Sequence, residues 1–152
     1  FFFFLIRHVS RSMFPELDGF VASLTGPYSK RLHSLIIFVY SRLAEDRASR
    51  EILRFLISEG SRFPDLVDRH YEEYLRPVIE RFRELIEVGV TAGEFREAPA
   101  IKFTELIMSP ALLLSVWSLL FESRKKIDVT AFIAAHVDLL MNGLSAATAM
   151  LE

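Results

Sequence analysis

The sequence predicts an all-α helical bundle of five to six helices, and three observations support that class. Apolar residues recur at helical spacing, as at Leu32, Leu35, Ile36 and Val39, and no segment alternates as a strand would. Glycine and proline stand between these periodic segments, where helices end and begin. Apolar residues make up 51% of the chain and charged residues 25%. That balance suits a helical domain that buries apolar surface inside itself and against a partner.

Local signals place each helix in turn. Gly26 and Pro27 separate the first two helices, since glycine suits a C-cap and proline a helix start. Asp46 is positioned to cap the third helix, which stops at Gly60. Asp128 is positioned to cap the last one. The predicted helices cover residues 5–23, 28–45, 47–59, 64–91, 99–123 and 129–147.

Three prolines fall inside these predicted helices. Pro15 is a candidate break in the first helix. Pro77 lacks the N–H that would bond to the Glu73 carbonyl, so we expect a kink there. Pro110 lies within the fifth helix. Kinks at Pro77 and Pro110 either splay the helices and open a cavity or are absorbed in close packing, and both interpretations stay open.

The charge and composition exclude several classes of protein. The formal net charge of −2 gives no bulk electrostatic signature for nucleic acid. Disulfides and thiolate metal sites are excluded because the chain has no cysteine, which is compatible with the cytoplasmic location we expect. The longest uncharged run, residues 106–121, is shorter than the ~20 residues of a membrane span. We therefore expect no membrane partner.

No catalytic or metal-binding constellation is recognisable in the sequence. His8, His33, His70 and His136 form no ligand cluster. His70 lies close to Glu72 in sequence, but a half-buried helix histidine is the favoured interpretation. No nucleophile elbow or phosphate loop is present. We expect no enzymatic activity, no metal and no cofactor.

Aromatic side chains are the candidates for ligand contact. The chain has 14 Phe, and such residues fill cores as readily as they line pockets. Core packing is the more frequent outcome for any one of them. Tyr71, Tyr74 and Trp117 are better pocket candidates, because a buried hydroxyl or indole N–H needs a partner.

Three segments resemble a known family. Residues 59–66, Glu-Gly-Ser-Arg-Phe-Pro-Asp-Leu, form a tight corner that opens a long charged helix. Residues 108–114, Met-Ser-Pro-Ala-Leu-Leu-Leu, are a small-Pro-aliphatic stretch, and residues 137–144 resemble a last helix. In this order and spacing they are similar to the C-terminal domain of TetR-type bacterial transcription regulators.

The resemblance implies that residues 1–152 form a ligand-binding and dimerisation domain. The last two helices would pair with their copies in a four-helix homodimer interface. An effector pocket would lie among the earlier helices. The interface residues expected are Leu112, Val116, Leu119, Phe132, His136, Leu139, Leu140 and Gly143. The effector contacts expected are Phe38, Phe55, His70, Tyr71, Tyr74, Phe103, Met108 and Trp117.

The function implied is that of a ligand-responsive regulator of repressor type. Its effector would be small and mostly apolar. Operator DNA would be bound through an N-terminal helix-turn-helix domain that these 152 residues do not contain. A small helical carrier of hydrophobic ligands, without DNA binding, is the alternative class. A DNA-binding domain upstream in the full protein would eliminate that alternative.

Overall fold

The structure, a computed structural model, describes residues 1–146, apart from the side chains of residues 10, 12–14 and 44. It confirms the all-α class. Within the described range there is no strand, and only Phe95 and Ser145 form an isolated antiparallel bridge. Seven α-helices are described: α1 Phe2–Ser23, α2 Tyr28–Tyr40, α3 Arg47–Glu59, α4 Pro64–His70, α5 Arg76–Thr91, α6 Thr104–Leu120 and α7 Val129–Leu144.

Two helices begin at the aspartates that the sequence marks as caps. The Asp46 carboxylate accepts hydrogen bonds from the Ser49 N–H at 3.0 Å and the Ser49 hydroxyl at 2.7 Å. The Asp128 carboxylate accepts from the Ala131 N–H at 3.1 Å. Both predicted caps are therefore confirmed, and each satisfies a first-turn donor that has no partner within the helix.

A π-helical turn at Tyr71–Leu75 interrupts the long fourth helix of the prediction and divides it into α4 and α5. Pro77 follows this turn in the first turn of α5, where a proline N–H is not required. A second π-turn, Ser41–Glu45, continues α2. The division at Tyr71–Leu75 explains why seven α-helices are observed where five or six were predicted.

Pro15 and Pro110 leave α1 and α6 continuous. The break considered at Pro15 therefore does not occur. At the other end of the chain, α7 stops at Leu144, since Ser145 is extended. The predicted end at Ala147 lies outside the described residues.

The core is built around α2, which packs against α5, α6 and α7. Tyr40 and Phe82 are the largest fully buried side chains. Truncating a buried Phe such as Phe82 to Ala costs about 3–5 kcal/mol, because both the transfer energy and the cavity count against the fold. Buried aliphatic residues of the central helices include Leu32, Leu35, Ile36, Val39, Val78, Ile86, Ile107, Ala111 and Leu114.

Helix α1 crosses α3, α5 and the π-turn at 71–75. Ile6 and Leu17 anchor it in the core. Two ion pairs join it to the body: Glu16 with Arg42, and Asp18 with Arg81 at 2.9 Å. The Phe20 ring also stacks on Phe38, with 4.8 Å between centroids. The placement of α1 thus depends on both apolar and charged contacts.

Candidate functional site

A cavity of about 260 Å³, partly open to solvent and hereafter called the interior cavity, lies between α1, α3 and the two π-turns. Helix α1 and the first π-turn bring an ion pair to its wall, Glu16 with Arg42. The start of α3 contributes Asp46 and Ser49, and the second π-turn contributes Tyr74. The full set of lining residues is His8, Val9, Glu16, Arg42, Asp46, Ala48, Ser49 and Tyr74.

Tyr74 is the most deeply buried polar group of this cavity, with 4% of its surface exposed. Its hydroxyl makes no hydrogen bond of good geometry to any residue that the structure describes. Ser49 stands close to the hydroxyl, and because the Ser49 O–H is donated to Asp46, the Ser49 oxygen can only accept toward Tyr74. Burial raises the pKa of Tyr74, so the phenol stays protonated.

The charged groups of the wall are largely compensated within the cavity. Arg42 pairs with Glu16 and also lies over the Phe38 ring, 5.3 Å from its centroid. Asp46 accepts two hydrogen bonds from Ser49 and sits at the positive end of the α3 dipole. The wall therefore offers mixed polarity without an unpaired charge.

His70 stacks on the outer side of this site. Its ring lies 5.0 Å from the Tyr74 ring, nearly parallel to it. The His70 Nδ1 is buried and has no hydrogen-bond partner in the described part of the chain. Desolvation lowers the pKa of His70 to about 4, so the ring is neutral at physiological pH.

An apolar groove of about 680 Å³ runs along α6 and α7. Two leucines that line it are largely exposed, Leu106 at 59% and Leu139 at 75%, and Leu113, 54% exposed, lies further along α6. On α7, the small residues Ala135 and Gly143 are exposed near Leu139. Leucines and small residues are thus exposed together on this face of α6 and α7.

His136 lies beneath that groove and joins three helices. Its Nε2 lies 3.0 Å from the Ile107 carbonyl, which can only accept, so Nε2 carries the proton. The Nδ1 atom then accepts from the Tyr40 hydroxyl at 2.8 Å. Burial lowers the pKa of His136 and raises that of Tyr40 to about 12, which stabilises this neutral pair.

The expected effector residues are distributed over several places. Only Tyr74 among the eight lines the interior cavity, with His70 stacked behind it and Phe38 beneath Arg42. Phe103 instead lines the groove of α6 and α7. Tyr71 is exposed, and Met108 is buried in the core.

Two further expected effector residues have other neighbours. The Phe55 ring stacks on Phe2, with 4.1 Å between centroids. The Trp117 indole N–H donates to the Lys125 carbonyl at 2.8 Å. The eight residues therefore do not converge on one pocket in this structure.

The expected interface residues lie closer together than the expected effector residues do. Leu139, Leu140 and Gly143 line the groove, and Leu112 is exposed on α6. Val116, Leu119 and Phe132 are partly exposed. His136, by contrast, is only 8% exposed and its ring is bonded inside the subunit.

Sequence reasoning missed most of the interior cavity. Arg42, Asp46 and Ser49 look like the polar end of one helix and the cap of the next. Glu16 lies far from them in the chain. The one available signal was the interruption of the apolar pattern of the second helix by Arg42, and that signal alone did not indicate a cavity.

Two negative findings apply to the residues described. Within residues 1–146, no helix is both long and apolar enough to cross a membrane. The same residues bring no three His, Asp or Glu side chains together as metal ligands.

Helical architecture, a mixed-polarity cavity behind the first helix and an apolar terminal hairpin together fit the regulatory domain of a transcription factor. Residues 36–141 match the family model described as "AefR-like transcriptional repressor, C-terminal domain". The match begins within α2, ends within α7 and covers more than two thirds of the chain. The chain therefore belongs to the TetR-type regulators and contains their C-terminal domain. Neither the curated proteins nor the solved structures give a significant match.

Proposed function

We propose that this chain is the effector-binding and dimerisation domain of a ligand-responsive transcriptional repressor. Membership of the AefR-like family supports the regulatory role. The structural observation that supports dimerisation is the exposed apolar face of α6 and α7. Operator DNA would be bound by an N-terminal helix-turn-helix domain that precedes these residues.

The dimer interface is proposed on that face. Leu106, Leu113 and Leu139 each expose more than half of their surface. Fully burying one such side chain contributes about 1.5–3 kcal/mol, so pairing this face with a second copy is strongly favoured. Ala135 and Gly143 permit close approach of two α7 helices, since neither carries a bulky side chain.

His136 takes a supporting part in this proposal. It lies under the groove and connects α7 to Tyr40 on α2 and to Ile107 on α6. We therefore assign its ring to positioning the α6–α7 pair from inside, and assign the contact itself to the exposed residues above it.

The interior cavity is proposed as the effector site. Its wall includes the Glu16–Arg42 ion pair, which also ties α1 to the body of the domain. A ligand in this cavity would shift the position of α1 and so respace the two DNA-binding domains of the dimer. Such a ligand acts only through its differential affinity for the two arrangements.

Native mass spectrometry of the full-length regulator tests the dimer. We expect a dimer in the wild type and monomers in Leu139→Glu, because the substitution places a charge in the centre of an apolar interface. Ile57→Glu is the matched control, since Ile57 is an exposed aliphatic residue on α3. A Leu139→Glu protein that remains dimeric would remove α7 from the interface.

Gel-shift titration of operator DNA tests the regulatory role. We expect the dimer to bind its operator and to release it when the cavity is occupied. Failure of the full-length dimer to bind any DNA would contradict the proposal and favour a hydrophobic-ligand carrier.

A further inference from the structure

Helix α2 receives its N-terminal cap from a distant part of the chain. Its own N-cap is Pro27, which has no side-chain acceptor, and no acidic residue stands in its first turn. Glu94 supplies both, because its carboxylate accepts hydrogen bonds from the N–H groups of Tyr28 at 2.8 Å and Ser29 at 3.4 Å. A negative charge at this end also interacts favourably with the helix dipole. The start of α2 therefore depends on a residue that follows α5.

The same part of the chain caps the C-terminal end of α7, whose last turn has no basic residue. Arg96 donates from its side-chain Nε to the Gly143 carbonyl at 2.8 Å, and from its backbone N–H to the Leu144 carbonyl at 2.9 Å. The Ala146 N–H in turn donates to the Glu94 carbonyl at 3.1 Å. The last carbonyls of α7 thus find partners that the helix itself cannot supply.

Phe95, between these two residues, anchors the segment to α5. Its side chain is 3% exposed, and its ring packs so closely that a Cβ at Gly89 would lie 2.3 Å from it. The backbone N–H groups of Glu94 and Phe95 both donate to the Gly89 carbonyl, at 3.0 and 3.2 Å. Since Glu94 and Arg96 directly flank this anchor, a displacement of one is transmitted to the other.

The two ends of this segment lie at places with different roles. Arg96, Gly143 and Leu144 all line the groove on which dimerisation is proposed. Glu94 bonds to the residues that directly follow the turn after α1. We propose, building on the dimerisation role above, that residues 94–96 couple these places, so that dimerisation orders the end of α7 and, through this segment, the start of α2. Such a coupling is reciprocal.

Amide hydrogen exchange in the full-length protein, followed by NMR, tests the coupling. The Tyr28 amide exchanges when its bond to Glu94 opens, so its rate reports the state of the α2 cap. Arg96→Ala leaves Glu94 in place. It should nonetheless raise the Tyr28 exchange rate about twofold to tenfold, where tenfold is the worth of one hydrogen bond. Arg96→Lys retains a donor for the Gly143 carbonyl and should restore most of the protection.

Two controls separate this effect from a general loss of stability. The Ser49 amide is capped locally by Asp46, so its exchange should be the same in Arg96→Ala as in the wild type. Arg83→Ala removes an exposed arginine from α5 and should leave the Tyr28 rate unchanged. An unchanged Tyr28 rate in Arg96→Ala overturns the proposal, as does an equal rise at Tyr28 and Ser49.

A second comparison tests the connection to dimerisation. The Tyr28 amide should exchange about twofold to tenfold more slowly in the wild-type dimer than in the Leu139→Glu monomer, and Arg96→Ala should reduce that difference. If Leu139→Glu is monomeric and the two rates are equal, the interface stands and the coupling fails. If Leu139→Glu remains dimeric, the proposed interface fails, whereas the Tyr28 rate in Arg96→Ala still decides whether residues 94–96 connect α7 to α2.

Discussion

The Tyr40 hydroxyl donates to His136 Nδ1 in the interior, whereas the equally buried hydroxyl of Tyr74 makes no hydrogen bond of good geometry in the described part of the chain. Removing the hydroxyl group should therefore change the free energy of unfolding by different amounts at the two tyrosines. One oxygen connects α2 to α7. The other belongs to a tyrosine that lines the interior cavity.

The first prediction compares these two residues. Tyr40→Phe should lower the free energy of unfolding by about 1–3 kcal/mol, because it leaves His136 Nδ1 buried and unpaired. Tyr74→Phe should change it by less than about 0.5 kcal/mol, since no hydrogen bond is lost. Urea unfolding measures both values. Equal destabilisation by the two variants would contradict the assignment of the partners.

The second prediction concerns acid. Desolvation lowers the pKa of His70 to about 4 in the folded chain, against about 6.5 when unfolded. The unfolded state therefore binds this proton first as the pH falls. The neutral His70 ring therefore contributes its full share of folding stability above pH ~6.5, and this contribution is lost progressively down to pH ~4. His136 acts in the same direction, because its pKa is also lowered by burial.

The size of this effect is about 1.4 kcal/mol per pH unit for a histidine that is fully neutral when folded. His70→Phe keeps an aromatic ring against Tyr74 and removes the titration. This variant should lose less unfolding free energy than the wild type between pH ~7 and pH ~5, as measured by urea unfolding. His33→Gln, at an exposed position, is the control and should leave the slope unchanged.

The third prediction concerns Gly89. A Cβ at this position would lie 2.3 Å from the Phe95 ring, which is itself buried. Gly89→Ala should therefore destabilise the domain by about 1–3 kcal/mol through overpacking. Gly19→Ala is the control, because a Cβ at Gly19 meets open space. It should raise the melting temperature slightly, since alanine favours the helix.

The fourth prediction concerns the start of α7. Asp128→Ala removes the acceptor for the Ala131 N–H and should cost about 0.5–2 kcal/mol. Asp128→Asn retains an acceptor and should recover most of that loss. Thermal unfolding of the two variants measures the difference. An unchanged melting temperature in Asp128→Ala would show that the cap contributes nothing.

Helix boundaries were predictable because local chemistry determines them. Asp46 and Asp128 accept bonds from residues three positions later, and the corner at Pro64 needs only its neighbours. The division at Tyr71–Leu75 was anticipated only as a kink, since the sequence marks Pro77 but not the turn that relieves it.

The interior cavity was not predictable, because Glu16, Arg42 and Tyr74 lie far apart in the chain and meet only through packing. The position of His136 was missed for a related reason. On a helix as apolar as α7, periodicity does not distinguish the side facing the core from the side facing a partner. Only a tertiary contact, here with Tyr40, assigns the face.

Trp117 gives the domain an intrinsic optical reporter. It is the single tryptophan of a chain that has no cysteine. Its indole N–H donates to the Lys125 carbonyl across the connection between α6 and α7. Emission from this one fluorophore therefore follows the hairpin at the proposed interface. An introduced thiol on α1 could be labelled without competition, so that energy transfer reports the distance between the two ends of the domain.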